Sequence, residues 1–526
     1  MNIRNDHGEN APGKDRESNR RRISGIGIMT AHRPQLLERA LTSYIKGTTR
    51  NGSEIEYVVF DDSKDAGARR ASLEVARRIR RQFDVEVRFA GYEERAAYVR
   101  RLCEYSSTSA EVLERGVLLS SGYTLGQNRN ALLLDSAGTL FLGADDDTIC
   151  APASPPGADE RGLRLCAGAD PSDYWCFRNF EEARERVRFV ETDLLEAHER
   201  LLGRKVTELE AGGALENINN RPPDIRLSER VGSSGSTVKI TLNGLLGDCA
   251  WGTPFGLWHE PMGYLAFEGA SLERLTSSEE FYRQAILSRQ LLRVTTGPVL
   301  SDLSLSMLTV WGLDNREVLP PNLPNHRGQD LVFGQILWKC FNEAVCGHVP
   351  LALIHDPIPR RRFWPGEITR SAAGVDLCRV VIEAFRLCEF RDHEVTPALR
   401  LKALGQHLVG LSELPEAALG ERLKERLYES NRRFERAMRE RAQEVLGRAA
   451  YYAADVVRFL EKLRMSEARE DYWIPLDMFS IDGLAAAATR VRLAFRQFGE
   501  LIERWPSIIQ AAKILRNHGV RVSVPV

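Results

Sequence analysis

Over the first 150 residues, short apolar runs that are typical of strands alternate with stretches in which apolar residues recur at helical spacing. Apolar runs at Ile23–Thr30 and at 55–60 predict strands. The helix predicted between them has apolar residues at three- and four-residue steps, at Leu36, Leu37, Ala40, Leu41 and Tyr44. A helix around 69–82 and a strand at 85–89 continue the alternation. Strands that alternate with helices predict an α/β fold with a mostly parallel sheet.

The pattern changes near residue 372, where long helical periods replace the strand signals. One apolar stripe consists of Leu423, Leu427, Phe434, Met438 and Val445. A second stripe consists of Val491, Phe495, Phe498, Ile502 and Trp505. We therefore expect an α/β domain over 23–371 and an α-helical C-terminal domain over 372–526. Alternating Arg and Glu residues between 420 and 444 favour a homodimer contact through the helical domain.

Two further segments stand apart from the periodic pattern. Residues 1–22 are polar and charged, and we expect a disordered tail there. Prolines at 152, 155 and 156 predict a loop, and the strongly charged stretch 179–202 predicts a helix. Together these features predict an insertion near 151–215.

Composition narrows the functional classes. The formal net charge of −1, from 72 basic and 73 acidic residues, gives no overall field that would attract nucleic acid. No run approaches the roughly 20 apolar residues of a membrane span, so we expect no transmembrane segment. The 9 cysteines include no Cys-x-x-Cys pair, which indicates neither a zinc cluster nor a disulfide framework and favours a cytoplasmic protein.

Three consecutive carboxylates, Asp145, Asp146 and Asp147, follow an apolar run that begins at Gly138. Side chains alternate along an extended segment, so Asp145 and Asp147 point the same way and can share one divalent cation, while Asp146 faces elsewhere and can accept a hydroxyl. Oxygen ligands suit Mg²⁺ or Mn²⁺, which leave positions for the phosphates of a nucleotide. A solvated acidic turn is the alternative. A phosphatase-type Asp-x-Asp-x-Thr is excluded by Ile149.

Other polar residues follow the predicted strands. Arg33 follows the first strand and Asp62 follows the second. Arg129 lies at the start of a helix after Gly126, and its guanidinium matches the geometry of phosphate oxygens. A salt bridge to a neighbouring acid is the alternative role for Arg129.

An aromatic segment at 247–261 combines Gly and turn residues with Trp251, Trp258 and His259. Exposed aromatic rings stack on sugar faces, so these side chains are candidates for the wall of an acceptor or donor-sugar site. A pair of tryptophans that fills the core is the alternative.

Four segments in this order resemble the nucleotide-binding half of inverting glycosyltransferases of the GT-A fold, the large family-two-like group. They are Ile28-Met-Thr30, Val59-Phe-Asp-Asp-Ser63, Gly126-x-Asn-Arg-Asn130 and Asp145-Asp-Asp147. The resemblance covers residues 23–150. It implies a Rossmann-like GT-A core, a nucleotide-sugar donor that is most often UDP-linked, Mn²⁺ or Mg²⁺ at the Asp-x-Asp, and direct displacement by the acceptor. It also implies that Thr30 and Asp62 contact the base, and that Asp145 and Asp147 hold ribose and metal.

Two later segments extend the resemblance. A proline-rich loop that begins at residue 319 leads to Arg327 and Asp330 at the start of a helix, where this family carries its catalytic base. Gln329 replaces the usual acidic first residue, which leaves Asp330 as the expected base; favourable charge at a helix start is the alternative. His355 ends an apolar run and is the expected third metal ligand, as in some relatives, with a structural histidine as the alternative. The arginines at 360–362 suit a diphosphate or a charged acceptor, or simply a solvated turn.

The sequence therefore predicts a metal-dependent inverting glycosyltransferase of the hexosyltransferase type. Asp330 is the expected base, and Asp145, Asp147 and His355 are the expected metal ligands. The predicted nucleotide-sugar-binding residues are Thr30, Arg33, Asp62, Arg129, Asp145, Asp146, Trp251, Trp258 and Arg327. The acceptor is left open among a peptide, a saccharide, a lipid-linked molecule and a small molecule.

Two alternative functions remain at this stage. A nucleotidyltransferase can share such a sheet and metal, but it ordinarily has a Gly-rich basic loop after the first strand, and residues 30–34 do not form one. A catalytically silent scaffold could use the helical domain to hold a partner. The carboxylates at Asp145, Asp147 and Asp330 argue against a scaffold.

Overall fold

The computed structural model describes nine stretches of the chain: 22–49, 55–118, 122–159, 162–167, 170–210, 216–217, 225–258, 261–302 and 308–526. The tail predicted at 1–22 lies outside them except for its last residue. The strands are β1 (Ile23–Thr30), β2 (Glu56–Asp61), β3 (Val87–Ala90), β4 (Leu140–Asp145), β5 (Thr148–Ser154), β6 (Arg164–Cys166), β7 (Asp173–Phe177), β8 (Arg188–Phe189), β9 (Glu216–Asn217), β10 (Thr237–Asp248), β11 (Phe255–Leu257), β12 (Pro261–Gly263), β13 (Gln290–Val294), β14 (Val299–Ser301), β15 (Val310–Asp314), β16 (Ala344–His355) and β17 (Val524–Pro525).

The helices accompany these strands in the first part of the chain and dominate its last third. They are α1 (Pro34–Thr49), α2 (Ala66–Phe83), α3 (Tyr92–Ser106), α4 (Ala110–Val117), α5 (Leu125–Asp135), α6 (Phe180–Arg186), α7 (Leu194–Glu199), α8 (Val206–Glu210), α9 (Ile225–Gly232), α10 (Gly269–Leu275), α11 (Glu279–Ser288), α12 (Gln329–Cys340), α13 (Leu377–Arg386), α14 (Pro397–Glu413), α15 (Glu416–Val445), α16 (Ala450–Glu467) and α17 (Leu484–Asn517). Short 3₁₀ helices cover Tyr264–Ala266, Pro365–Ala373 and Leu476–Met478.

The main sheet is mixed and largely parallel, as the alternation of strands and helices predicts. Its strand order is β17-β3-β2-β1-β4-β15-β10-β16-β14-β6-β9. Strands β3, β2, β1 and β4 are parallel neighbours, β15 is antiparallel to both β4 and β10, and β10 is parallel to β16. Because two antiparallel steps restore the direction, β1, β4, β10 and β16 all end at the same edge. Ligands of open α/β sheets bind at this carboxyl edge.

The local predictions for the first 150 residues are confirmed with small shifts of boundary. Strand β1 has the predicted bounds, and the apolar face of α1 is buried at every predicted position. Helix α2 begins earlier than expected because the carboxylate of Asp65 caps it, accepting a hydrogen bond of 2.7 Å from the backbone N–H of Ala68.

The segment 151–215 differs from the expected loop and continuous charged helix. Strand β5 runs through Pro152, whose carbonyl accepts a hydrogen bond of 2.9 Å from Val190; proline lacks only the donor. Strands β5 and β7 join the main sheet through β16 and β13. The charged stretch divides into α6 and α7 because Asp193 caps a new helix, with its Oδ1 2.9 Å from the backbone nitrogen of Leu195. This region therefore contributes strands to the sheet in addition to surface helices.

The helical region packs directly on the α/β region. Both apolar stripes are buried within the single chain. The homodimer contact, which was predicted from the Arg and Glu pattern at 420–444, stays a prediction. One continuous apolar cluster contains Met29 and Phe60 of the sheet together with Leu423 and Trp505 of the helices. The indole N–H of Trp505 donates a hydrogen bond of 2.7 Å to the carbonyl of Leu319. None of the described helices is long and apolar enough to cross a bilayer.

We expect Gly126→Ala to destabilise the fold. A Cβ at Gly126 would lie 1.8 Å from the carbonyl oxygen of Leu323, so the start of α5 and the loop that leads to α12 would have to separate. Overpacking of this kind typically costs about 1–3 kcal/mol. Urea unfolding measures the change. Gly410→Ala is the matched control, because no heavy atom lies within 4 Å of that Cβ; it should stabilise α14 by up to about 1 kcal/mol. Equal stability of the Gly126→Ala variant and the wild type would contradict the close approach.

Candidate functional site

A cleft of about 480 Å³ opens at the carboxyl edge where β1, β4, β10 and β16 end, and the start of α12 closes one side. Every predicted site residue except Asp146 lines this cleft. These residues are Thr30, Arg33, Asp62, Arg129, Asp145, Asp147, Trp251, Trp258, Arg327, Asp330 and His355. Residues that are far apart in the sequence thus meet because the strands and helix that carry them end at one edge.

Asp146 lies behind the cleft wall and serves a positioning role. It is fully buried; its Oδ2 accepts a hydrogen bond of 2.7 Å from the hydroxyl of Thr30, and its Oδ1 lies 2.6 Å from a guanidinium nitrogen of Arg33. Burial raises the pKa of Asp146 to about 8, although the charge of Arg33 acts in the opposite direction. The prediction that Asp146 faces away from its neighbours and accepts a hydroxyl agrees with this geometry, but the hydroxyl belongs to the protein.

Asp147 is held between the guanidinium of Arg33 and the imidazole of His355. Its Oδ2 lies 3.2 Å from Nη1 of Arg33, and its Oδ1 lies 3.3 Å from Nε2 of His355. Burial acts to raise the pKa of Asp147, but the charge and hydrogen bond of His355, with the charge of Arg33, outweigh burial and keep the pKa below its ordinary value. Arg33 bridges Asp146 and Asp147, and its side chain remains about two-fifths exposed on the cleft side.

Asp145 keeps one oxygen without a partner. Its Oδ2 lies 3.7 Å from Nη2 of Arg129, while its Oδ1 is buried and has no hydrogen-bond partner among the described residues. Arg129 stacks on the ring of Trp311 at 4.7 Å and donates a hydrogen bond of 2.6 Å to the carbonyl of Leu308. The Nη1 of Arg129 is also buried without a partner in the described part of the chain. Both the salt-bridge alternative for Arg129 and its phosphate role therefore remain compatible with the geometry.

The expected metal ligands do not form a ready three-ligand group. Within the described ranges, no cluster of three or more His, Cys, Asp or Glu side chains has the spacing of a metal site. His355 faces Asp147 as an ion-pair partner, and its Nδ1 lies 2.6 Å from the carbonyl oxygen of Asp248. The residues nevertheless fit a cation in one respect, since a buried carboxylate oxygen without a partner, as at Asp145, is costly unless a ligand satisfies it.

Asp248 organises one wall of the cleft from the end of β10. Its carboxylate accepts two hydrogen bonds from Arg289, at 2.8 and 2.9 Å, and one of 3.0 Å from Arg361, which lines the cleft. Its backbone carbonyl orients the ring of His355. The guanidinium of Arg289 lies 4.3 Å from the centre of the Phe363 ring, which fixes the pair from the other side. Asp248 thus holds two arginines through its carboxylate and one histidine through its backbone carbonyl.

The two tryptophans occupy different environments. Trp251 is buried and contacts Tyr264 edge-to-face at 5.2 Å, with Tyr174 and Phe267 also near, so it fills the core as the alternative reading stated, while part of it lines the cleft. Trp258 is only partly buried and lies against Gly328 at the start of α12. Trp258 is therefore the better candidate for contact with a sugar. His259 lies outside the described residues.

The loop before α12 is held from both sides. Gly328 adopts a φ of 83° as the residue preceding α12, a conformation that favours glycine, and its carbonyl accepts a hydrogen bond of 3.3 Å from the thiol of Cys378. Nδ1 of His326 lies 3.4 Å from Asp477 in the helical region. Asp330 is half-buried in the first turn of α12 and faces the cleft, and Arg327 stacks on the ring of Tyr123 at 4.9 Å. Because Asp330 lies in the first turn of α12, favourable charge at the helix start remains an alternative explanation of its position.

The end of β2 contains a second buried network. Asp62 lies 3.4 Å from Nη1 of Arg95 and accepts a short hydrogen bond from the hydroxyl of Thr124. Burial raises the pKa of Asp62, with Arg95 acting in the opposite direction. Asp62 and Thr30 both line the cleft, on the side that the resemblance assigns to the base. Part of the hydrogen-bonding capacity of Asp62 is already used within the protein.

Sequence reasoning missed Asp248 and Tyr123 as residues of the site. Asp248 had a usable signal, because it ends an apolar run just as Asp145 does. Tyr123 had none, since it lies in a polar stretch without periodicity. No protein-family model matches the chain, and neither a curated protein nor a solved structure is significantly similar to it.

We expect Asp248→Asn to destabilise the protein by about 3–5 kcal/mol, because the substitution leaves the charge of buried Arg289 without its counter-ion. Urea unfolding at neutral pH measures the loss. Asp482→Asn, which breaks an exposed ion pair with Arg490, is the matched control and should have little effect.

The same variant should change the pH dependence of stability. Burial acts to raise the pKa of Asp248, but the hydrogen bonds and charge of Arg289 outweigh it and keep the pKa below its ordinary value. A carboxylate with a lowered folded-state pKa stabilises the fold above its unfolded-state pKa of about 4 and loses that contribution as the pH falls. Below about pH 4 the free energy of unfolding of the wild type should therefore fall by the contribution of Asp248. The Asp248→Asn variant lacks this contribution at every pH, so its free energy of unfolding should fall less. Parallel acid-unfolding curves would contradict the role of Asp248.

Proposed function

We propose that the chain is an inverting glycosyltransferase with a GT-A core, which transfers a sugar from a nucleoside diphosphate to an acceptor hydroxyl or thiol. One observation carries this proposal: Asp330 lines the same cleft as Asp145 and Asp147, although it comes from a different structural element. Displacement with inversion needs a base on one side of the reacting carbon and positive charge on the other, where the diphosphate leaves.

The sheet supports the GT-A part of the proposal. The Rossmann-like half, β3-β2-β1-β4, is parallel, and the residues of the resemblance lie at its carboxyl edge. Thr30 and Asp62 lie at the ends of adjacent strands and line the cleft, which supports the proposed contact of both with the nucleotide base. In the proposal the base, most often uracil in the resembling group, lies on this side and the sugar extends toward Trp258.

Asp330 takes the proton of the acceptor in the proposed reaction. As the proton moves to the Asp330 carboxylate, the acceptor oxygen or sulfur forms a bond to the anomeric carbon. The bond from that carbon to the diphosphate oxygen breaks, and its electron pair leaves with the nucleoside diphosphate. Arg33 and Arg129 face the cleft with guanidinium groups of the geometry that phosphate oxygens prefer.

Asp145 and Asp147 are the proposed ligands of Mg²⁺ or Mn²⁺. A bound cation would supply positive charge that neutralises the departing diphosphate. The unpartnered Oδ1 of Asp145 suits this role, whereas Asp147 would exchange contacts with Arg33 or His355. His355 would act mainly by orienting Asp147 for the cation.

Donor binding should depend on a divalent cation and on Asp145 and Asp147. Calorimetry with UDP should show an affinity at least about tenfold higher in Mn²⁺ than in EDTA, and Asp145→Asn and Asp147→Asn should each remove this gain. Asp173→Asn, an exposed position outside the cleft, is the control and should bind like the wild type. Equal affinity in EDTA and in Mn²⁺ would remove the metal from the proposal.

Asp330→Asn should separate chemistry from binding. The substitution keeps the shape of the side chain and removes its basicity, so turnover should fall by roughly 10²–10⁴. Affinity for the nucleotide-sugar should barely change, since a base that acts on the acceptor contributes little to ground-state binding of the donor. Steady-state kinetics with the donor found by a thermal-shift screen of nucleotide-sugars provides the measurement.

Asp477→Asn is the matched control, because Asp477 contacts the same loop through His326 but does not line the cleft. It should retain turnover. Near-normal turnover of Asp330→Asn would move the search for the base to His259 and Glu260, which lie outside the described residues. Release of pyrophosphate would instead indicate a nucleotidyltransferase. A protein that hydrolyses no nucleotide-sugar in Mn²⁺ would fit a scaffold.

A further inference from the structure

The segment between β16 and the following 3₁₀ helix presents apolar and basic side chains to solvent together. Ile358 is 61% exposed and Trp364 is 63% exposed. Arg360, Arg361 and Arg362 lie between them and are also exposed, and Arg370 follows on the 3₁₀ helix. We call this set the Arg/Trp edge: Ile358, Arg360, Arg361, Arg362, Trp364 and Arg370. The exposure of tryptophan and isoleucine side chains to water is unfavourable, and their position within a basic segment indicates a binding surface.

The backbone of the Arg/Trp edge is fixed. Phe363 is buried between its exposed neighbours, and its N–H donates a hydrogen bond of 2.9 Å to the carbonyl of Leu287. The N–H of Trp364 donates to the carboxylate of Glu367 at 3.1 Å. The exposed side chains therefore project from a braced turn, and their exposure follows from the fold.

The acids near the Arg/Trp edge are shared among several arginines. Asp356 pairs with both Arg39 and Arg360, at 3.2 Å each. Asp248, as described above, pairs with both Arg289 and Arg361. A carboxylate shared by two guanidinium groups leaves one positive charge without compensation unless another acid pairs with one of them, and among these ion pairs of the described residues only the Asp248 pair lacks such an acid.

Two further ion pairs complete the charge balance. Arg360 has a second contact, with Glu181 at 3.3 Å, and Arg370 pairs with Glu367 at 3.2 Å. Arg362 forms no ion pair with any residue in the described part of the chain. The edge therefore carries a local positive excess on a protein whose formal net charge is −1.

We propose that the Arg/Trp edge docks the protein on an anionic lipid surface. Trp and Ile side chains gain free energy at the boundary between headgroups and acyl chains, where the indole keeps a hydrogen-bond donor in the polar layer. Guanidinium groups bind the phosphates and carboxylates of anionic headgroups, and each basic residue near such a surface contributes about a fivefold increase in affinity. The Arg/Trp edge presents apolar and basic side chains together on one turn of fixed backbone, and this combination suits an anionic lipid surface.

Lipid explains the edge better than nucleic acid does. Arginine and tryptophan would suit stacked bases as well, but aliphatic Ile358 and the adjacent prolines at 359 and 365 have no flat face to stack. They gain only from removal from water. A domain that binds nucleic acid is ordinarily far more basic than this chain, whose sequence pI is about 6.8.

The docking does not depend on the proposed chemistry, since it rests on residues outside the reacting groups. Arg361 belongs both to the edge and to the lining of the cleft. Docking would therefore bring the mouth of the cleft next to the lipid headgroups.

Co-sedimentation with phosphatidylcholine vesicles, with and without phosphatidylserine, tests the proposal. The full-length protein should bind vesicles that contain phosphatidylserine, and binding should weaken as salt increases. Arg362→Gln and Trp364→Ala should each lower vesicle affinity by at least about fivefold. Arg432→Gln and Met465→Ala change an exposed arginine and an exposed apolar residue of the helical region, and both should bind like the wild type.

Circular dichroism establishes that each variant is folded, so that a loss of binding reports the surface. Absence of binding to either vesicle would overturn the proposal. Binding that Arg362→Gln and Trp364→Ala leave unchanged would overturn it too. Binding of a single-stranded oligonucleotide that both variants lose, without vesicle binding, would replace lipid by nucleic acid as the partner.

Discussion

The burial of three consecutive carboxylates at the end of β4 is the constraint on which the site depends. Isolated ionised carboxylates are very costly away from water, so each needs a counter-charge or a proton. Arg129 faces Asp145, Arg33 bridges Asp146 and Asp147, and His355 supports Asp147. These partners come from the β1–α1 connection, from α5 and from β16, so the fold must bring them together before the carboxylates can be buried. The requirement of charge balance thus links the fold to the site.

Charge balance around a buried carboxylate also organises the opposite wall of the cleft. Asp248 ends β10 as Asp145 ends β4, and it holds Arg289, Arg361 and His355 in fixed positions. Arg361 in turn belongs to the exposed turn of the Arg/Trp edge. The orientation of the cleft wall and the shape of the proposed lipid-binding surface therefore share one buried ion-pair network, and both depend on the close pairing of β10 with β16.

The helical region supports the site without lining it extensively. Its long helices bury their apolar stripes against each other and against the α/β region in one continuous core. Trp505 fixes the loop that begins at Leu319, and Cys378 and Asp477 fix the later part of the same loop. Because this loop positions Asp330, the stability of the helical region bears on the position of the proposed base.

The sequence alone determined the alternation of strands and helices over 23–150, the change to helices near 372 and most of the candidate site. Periodicity and the polar residues at strand ends are local signals that pointed to Asp145, Asp147 and His355, and the family resemblance pointed to Asp330; all four line the cleft. Tertiary structure decided what local patterns do not contain. It buried Asp146 behind Thr30 and Arg33, directed Trp251 into the core and placed Asp248 against Arg361 and His355, which line the cleft. It also joined the segment 151–215 to the main sheet. Strand pairing and side-chain burial depend on partners distant in sequence, and only the folded chain defines those partners.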